Sequence, residues 1–355
     1  LMDAQWASVL KSDGTIDDKK FDAFFARLAN SNPEYLEGIS EAYLKWDKEI
    51  AKAKGVKGKS TSKRTVRGLR GKPASVERKI KDKILASDIM RSLKPFMTPN
   101  ELESLTTQSI DAIVKLATQG KTRTGKDVTI VDLKEGAPRL TKEALAAMAF
   151  GGRYKKGWYR HATKQLRTVF QDDTGRFVAL LAATSQTSVE LNLENALRIW
   201  DGWEKAGRPT DAKSIKQVMG RSVTGKGTEE SVMDAWVNNT ITALSTKFPD
   251  KIDLSGPKVD SFMRNLLDNL DEVTLDTWQG RAYNLLQDVF AGITRKSTGK
   301  RGIKGPGYIL SAARTREAAS YLSRKTGMKW EPAEIQETVW SLVKALYEKR
   351  KSPTG

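Results

Sequence analysis

Two ionisable residues stand where successive helices are expected to begin. Lys258 follows Ser255-Gly256-Pro257, and Asp276 leads the run Asp276-Thr277-Trp278-Gln279-Gly280-Arg281, 18 positions further on. An amine can act as a nucleophile and a fixed carboxylate can stabilise developing positive charge. The simpler reading of Asp276 is an N-cap, with Gln279 three residues later closing an Asp-x-x-Gln capping box. Upstream, Thr184-Ser185-Gln186-Thr187-Ser188 ends an apolar run in a polar turn. Its hydroxyl and amide groups suit phosphate oxygens and base edges, and they serve equally well as caps between two helices. Trp158-Tyr159-Arg160-His161 places aromatic rings beside cations, a combination suited to base stacking and phosphate contact. His161 is the single histidine of the chain. It could serve as acid or base, although a histidine without an identified partner is more often structural.

The elements that must carry these residues read as mainly α-helical. In 355 residues, 39% are hydrophobic, enough to build a substantial core. Three apolar series at helical spacing stand out: Val189, Leu193, Ala196, Leu197 and Trp200; then Trp278, Ala282, Leu285, Leu286 and Val289; then Ile335, Val339, Leu342, Val343 and Leu346. Thr187 with Glu190 makes a capping box for the first, and Pro332 suits the opening turn of the last. Trp200, Trp236, Trp278 and Trp340 fall on apolar faces and are expected in the core. Thr141 to Phe150 is an alanine-rich helix, and Val128-Thr129-Ile130-Val131 is the one strand-like run. The chain divides into a helical segment over residues 1–50, a basic linker over 51–83, a helical region over 84–157 and a larger helical domain over 158–350. The linker is marked by thirteen lysines and arginines against Glu77 and Asp82 alone.

The net charge of +18 points to a polyanion, with nucleic acid favoured over an anionic membrane surface. Charge by itself carries no sequence specificity. With no cysteine and one histidine, disulfides, thiolate zinc sites, iron–sulfur clusters and His-rich metal sites are excluded, and no metal or cofactor is expected. No apolar run approaches the ~20 residues that span a bilayer.

Taken together and in this order, the apolar helix with its Ser-Gln-Thr turn, the Gly-Pro-Lys segment and the Leu275-Asp276-Thr277-Trp278 segment resemble the helix-hairpin-helix DNA glycosylase superfamily. The resemblance covers Trp158 to Val289, with Trp330 to Arg350 as a closing helix, and it looks most like divergent bacteriophage members. It implies a helix-hairpin-helix DNA glycosylase-like domain carrying an N-terminal helical extension and the basic linker. It also implies duplex DNA as partner, held by its phosphate backbone with one base flipped out, and a cytoplasmic setting in a bacterial host or a phage virion. By the same resemblance Gln186 fills the gap left by the flipped base, flanked by Thr184, Ser185 and Thr187. Gly256 shapes the hairpin, Lys258 is the amine nucleophile of bifunctional members, and Asp276 stabilises the sugar's developing positive charge. Arg281, Lys300, Arg301 and the 158–161 cluster complete the DNA contacts. The family hairpin carries Gly-x-Gly, whereas only Gly256 is present here, and Pro257 removes an amide donor. Two other activities fit the same residues: a phage transferase that hypermodifies DNA bases on this fold, and a non-enzymatic DNA-binding protein inside the virion or ejected from it.

Overall fold

The computed structural model describes residues 91–106, 141–185, 187–224, 232, 234–248, 251–293 and 303–351. The expected helices of residues 1–50, the basic linker 51–83, the strand-like run at 128–131, Gln186, Lys300 and Arg301 lie outside the described residues. What is described is mainly α-helical: eleven α-helices and one two-residue antiparallel strand pair, Gly292–Ile293 (β1) with Ile303–Lys304 (β2). Among the described residues no helix is long and apolar enough to cross a membrane. The chain falls into two compact units, and residues 158–350 run through both.

The first unit draws on Leu1–Lys156, Leu275–Ala291 and Gly305–Gly355. Its described helices are α1 (Pro99–Thr106), α2 (Lys142–Gly151), α9 (Thr277–Ala282), α10 (Pro306–Thr326) and α11 (Pro332–Lys351). The alanine-rich α2 is buried from Ala144 through Gly151, and Thr141 caps it by accepting from the Ala144 N–H at 3.1 Å. It packs against α10 and α11. Small side chains permit that closeness: a Cβ built on Gly152 would stand 2.2 Å from the Thr338 carbonyl oxygen of α11. Along α11 the expected stripe is buried at Ile335, Val339, Leu342 and Val343. Pro332 occupies the first helical position, and Glu334 accepts from the Glu331 N–H at 2.9 Å. Arg316 of α10 donates to Glu101 of α1 at 2.7 Å, and this ion pair is buried.

One expected helix is much shorter than its periodicity suggests. α9 stops at Ala282, because Asn284 turns to φ 57°. The Leu285 N–H then reaches the Gly280 carbonyl at 2.7 Å and the Asn284 N–H reaches Arg281 at 3.2 Å. This pairing is a Schellman motif with asparagine in the left-handed position. Leu285 and Val289 stay buried beyond the break, which is why the apolar spacing survives without a helix beneath it.

The second unit comprises Gly157–Thr274 and Gly292–Lys304. It contains α3 (Trp158–Phe170), α4 (Thr174–Ala183), α5 (Val189–Lys205), α6 (Ala212–Thr224), α7 (Asp234–Ser245) and α8 (Pro257–Leu266). The apolar α4 is central and touches α3, α5, α7 and α8. Phe170 stacks on Phe177 with ring centroids 3.6 Å apart, and Trp200 meets both rings edge-on. Arg176 donates to the Leu244 and Thr246 carbonyls, both at 2.9 Å, tying off the end of α7.

The face of α5 corrects the sequence reading. Val189, Leu193 and Leu197 are exposed, at 39%, 41% and 45%. The buried residues are Asn192, Asn195, Ala196, Ile199 and Trp203. Asn192 goes inward because it has hydrogen-bond partners there, described below. The cap is also displaced: Ser188, not Thr187, accepts from the Leu191 N–H at 3.3 Å.

Candidate nucleic-acid interface and base site

In the second unit, α4 runs apolar and buried to Ala183, and Thr184 then closes it. Thr184 is fully buried. Its hydroxyl donates to Asn192 Oδ1 at 2.6 Å, while Asn192 Nδ2 donates to the Leu181 carbonyl at 3.1 Å. Thr184 therefore secures the α4–α5 turn from inside and is closed to a phosphate. Ser185 is 9% exposed, and its hydroxyl has no partner among the described residues. Thr187 is half-buried in the same turn.

Lys258 comes to this turn from α8. Gly256 holds φ 103°, a conformation that favours glycine, and Pro257 takes the first helical position. Asn239 of α7 grips the preceding residue from both sides: its Oδ1 accepts from the Ser255 N–H at 2.7 Å and its Nδ2 donates to the Ser255 carbonyl at 2.9 Å. Asp260 accepts from the Leu254 N–H at 3.3 Å and from Arg264 at 2.8 Å. Held this way, Lys258 extends its ammonium to the Ser185 carbonyl at 2.9 Å. A cation thus sits at the C-terminal end of α4, where the helix dipole favours it.

The aromatic-cationic cluster at the start of α3 separates by burial. Gly157 caps the helix at φ 89°. Tyr159 is 3% exposed and packs edge-on against Trp158 and Phe262, so it belongs to the core and cannot stack on a base. Trp158, Arg160 and His161 are exposed. The imidazole of His161 has no hydrogen-bond partner among the described residues.

Asp276 belongs to the first unit. It is 9% exposed and caps α9: Oδ1 accepts from the Trp278 N–H at 2.9 Å and the Gln279 N–H at 3.2 Å. Oδ2 accepts from the indole of Trp340 on α11 at 3.1 Å. The N-cap is as expected, but the capping box is not formed. Gln279 turns away and donates to the Gln336 carbonyl at 2.8 Å. Leu275, just before the aspartate, is fixed by its N–H donating to the Tyr308 hydroxyl at 3.1 Å. Trp278 and Trp340 are only half-buried, and each carries a cation over its ring: Arg281 at 4.3 Å and Lys344 at 4.9 Å from the centroids. Spacing gave no sign of Trp340 or Lys344, which lie more than sixty positions from Asp276; a tryptophan four residues before a lysine on one helix was the available hint.

Chemically, the carboxylate is held rigid by three donors, one of them the Trp340 indole. That arrangement suits electrostatic stabilisation of a cation more than proton abstraction, because both oxygens are already engaged. Among the described residues no cluster of histidine, aspartate and glutamate could hold a metal ion. Comparisons with protein-family models, with curated proteins and with solved structures gave no match to this chain.

Proposed function

We propose that the chain is a DNA-binding, base-directed enzyme of the helix-hairpin-helix glycosylase kind. The observation that carries this reading is the contact of Lys258 with Ser185: two segments 73 positions apart, each suited by its residues to a DNA-facing edge, are joined at 2.9 Å. In this reading the Ser185–Thr187 turn and the start of α8 meet the DNA, Gln186 occupies the gap left by the extruded base, and Asp276 stabilises the oxocarbenium-like transition state. Lys258 acts as a positioning cation rather than a nucleophile, because its ammonium is committed to a helix end; water completes the hydrolysis. Duplex DNA, the glycosylase-like domain and its N-terminal basic linker all belong to this proposal.

The test is base release from duplex oligonucleotides carrying uracil, hydroxymethyluracil, oxidised and alkylated bases. Wild type is compared with Asp276→Asn and with the double variant Asp276→Asn/Trp340→Phe. Asparagine is a good N-cap, but its NH2 faces either two backbone N–H groups or the indole N–H, at a cost of roughly 1–3 kcal/mol. The second substitution removes the indole donor and with it the clash of two donors, and a melting curve of each variant separates lost activity from lost folding. Release should vanish in both variants while DNA affinity stays within a few-fold of wild type. With borohydride present, no covalent adduct should form.

A second reading is favoured by the same contacts. Lys258 and Asp276 each serve as a helix cap, so a DNA-binding protein with no catalytic activity accounts for both. Tight DNA binding with no release from any substrate, and no transfer of an added amine to hydroxymethyl-pyrimidine DNA, would decide for it.

A further inference from the structure

Helix α3 presents a second feature that the base-directed reading does not use. Its inner side carries Tyr159, Thr163 and Phe170, with the Thr163 hydroxyl 2.9 Å from the Leu266 carbonyl. On the flank beside it Arg160, Lys164 and Arg167 are all exposed. Spaced four and then three residues apart, they share one face of the helix. With Thr163, Thr168 and Asp268 they line a single open groove.

No carboxylate occurs anywhere in α3. On α5 and α8 of this unit several cations pair with acids of their own helix, whereas α6, like α3, carries no acid. On α5, Arg198 pairs with Glu194 and Lys205 with Asp201, and Arg208 just beyond the helix pairs with Glu204; on α8, Arg264 pairs with Asp260. Lys164 and Arg167 form no ion pair with any described residue. Lys164 and Arg167 therefore have no acid on their own helix to neutralise them, and Asp268 is the one acid lining the groove.

We infer that this face of α3 tracks the phosphodiester backbone of one DNA strand, at a site separate from the Ser185–Lys258 edge. From Arg160 to Arg167 the helix rises roughly 10 Å. Phosphates on one strand advance about 3.4 Å each along the duplex axis, so the row spans about three of them. An anionic membrane fits less well, because the apolar side of α3 is turned into its own unit and the cationic face offers nothing to insert. That the strand is DNA rests on the function proposed above; the row's preference for a regularly spaced polyanion does not.

The experiment measures binding of the full chain to an undamaged duplex as a function of salt, which involves no base chemistry. Lys164→Gln/Arg167→Gln is compared with Arg198→Gln/Lys205→Gln, which removes the same charge from residues already paired. The α3 pair should lower the slope of log K against log [salt] by about two and weaken binding roughly ten- to a hundredfold at low salt. The α5 pair should leave the slope essentially unchanged, and Asp268→Asn should tighten binding. If the two double variants behave alike, the row is an ordinary solvated face and the inference is overturned. If the α3 pair weakens binding to RNA but not to DNA, the assignment to DNA is wrong. Base release at saturating DNA should persist in the α3 double variant, which keeps a failure here distinct from a failure of the proposed function.

Discussion

At the residue scale, chemistry and scaffolding meet in the same side chains. Thr184, Lys258 and Asp276 all carry polar groups of the kind a DNA site uses, and all three spend them first on ending or starting a helix. Thr184 is wholly committed, whereas the lysine and aspartate remain near solvent. Tyr283 is a group with no such second use. It is completely buried, and burial pushes its hydroxyl well above the ordinary value of 10.0, against the opposing effect of its hydrogen bond with Thr315 at 2.9 Å. The unfolded chain ionises this tyrosine near the ordinary value and the folded chain only above it. The stability it contributes is therefore complete below about 10 and is lost as pH rises from there towards the folded pKa. Thermal unfolding followed from neutral pH to about pH 11 should show wild type losing stability more steeply than Tyr283→Phe above about pH 10. At neutral pH the phenylalanine variant should be less stable by about 1 kcal/mol, the value of one hydrogen bond.

At the element scale, what could be read from the sequence was whatever rests on apolar spacing or local caps. α11 lies where Pro332 and the series Ile335, Val339, Leu342 and Val343 place it, and α2 begins at its threonine cap. Two elements escaped that logic for definite reasons. In α5 the buried face is marked by Asn192 and Asn195, polar residues that no apolar pattern can point inward. In α9 the helix is ended by a single backbone torsion at Asn284, while buried residues continue the helical spacing past it. The same limits apply to the site. The cap at Asp276 was legible because it is local. The Trp340 indole and the Ser185 carbonyl reach their partners through tertiary packing, and nothing in the spacing shows it. The turn at Asn284 can be tested directly. Asn284→Ala should lower the urea midpoint by the equivalent of about 1 kcal/mol, the cost of a left-handed non-glycine residue. Asn284→Gly should stay within a few tenths of wild type, and an unchanged m-value would show that only stability moved.

At the scale of the whole molecule, the net charge of +18 is distributed unevenly among neutralised and uncancelled groups. Arg198 and Lys205 of α5 and Arg264 of α8 pair with acids of their own helices, α3 carries no acid, and thirteen further cations lie between residues 51 and 83. If phosphate contacts number in the range of six to ten, affinity for duplex DNA should fall by roughly three orders of magnitude or more between about 50 and 200 mM salt. A loss of less than tenfold in a filter-binding or fluorescence-polarisation titration would direct the search to a partner other than a polyanion. The hydrogen bond between Trp340 and Asp276 bears on how such experiments can be read. The emission of an indole depends on the charge beside its pyrrole ring and on what its N–H is bonded to. A ligand that draws the carboxylate of Asp276 towards itself must therefore change the light emitted by Trp340. Subtracting the spectrum of Trp340→Phe removes the background of the other tryptophans, and the molecule then carries its own optical reporter, placed against the aspartate whose engagement is in question.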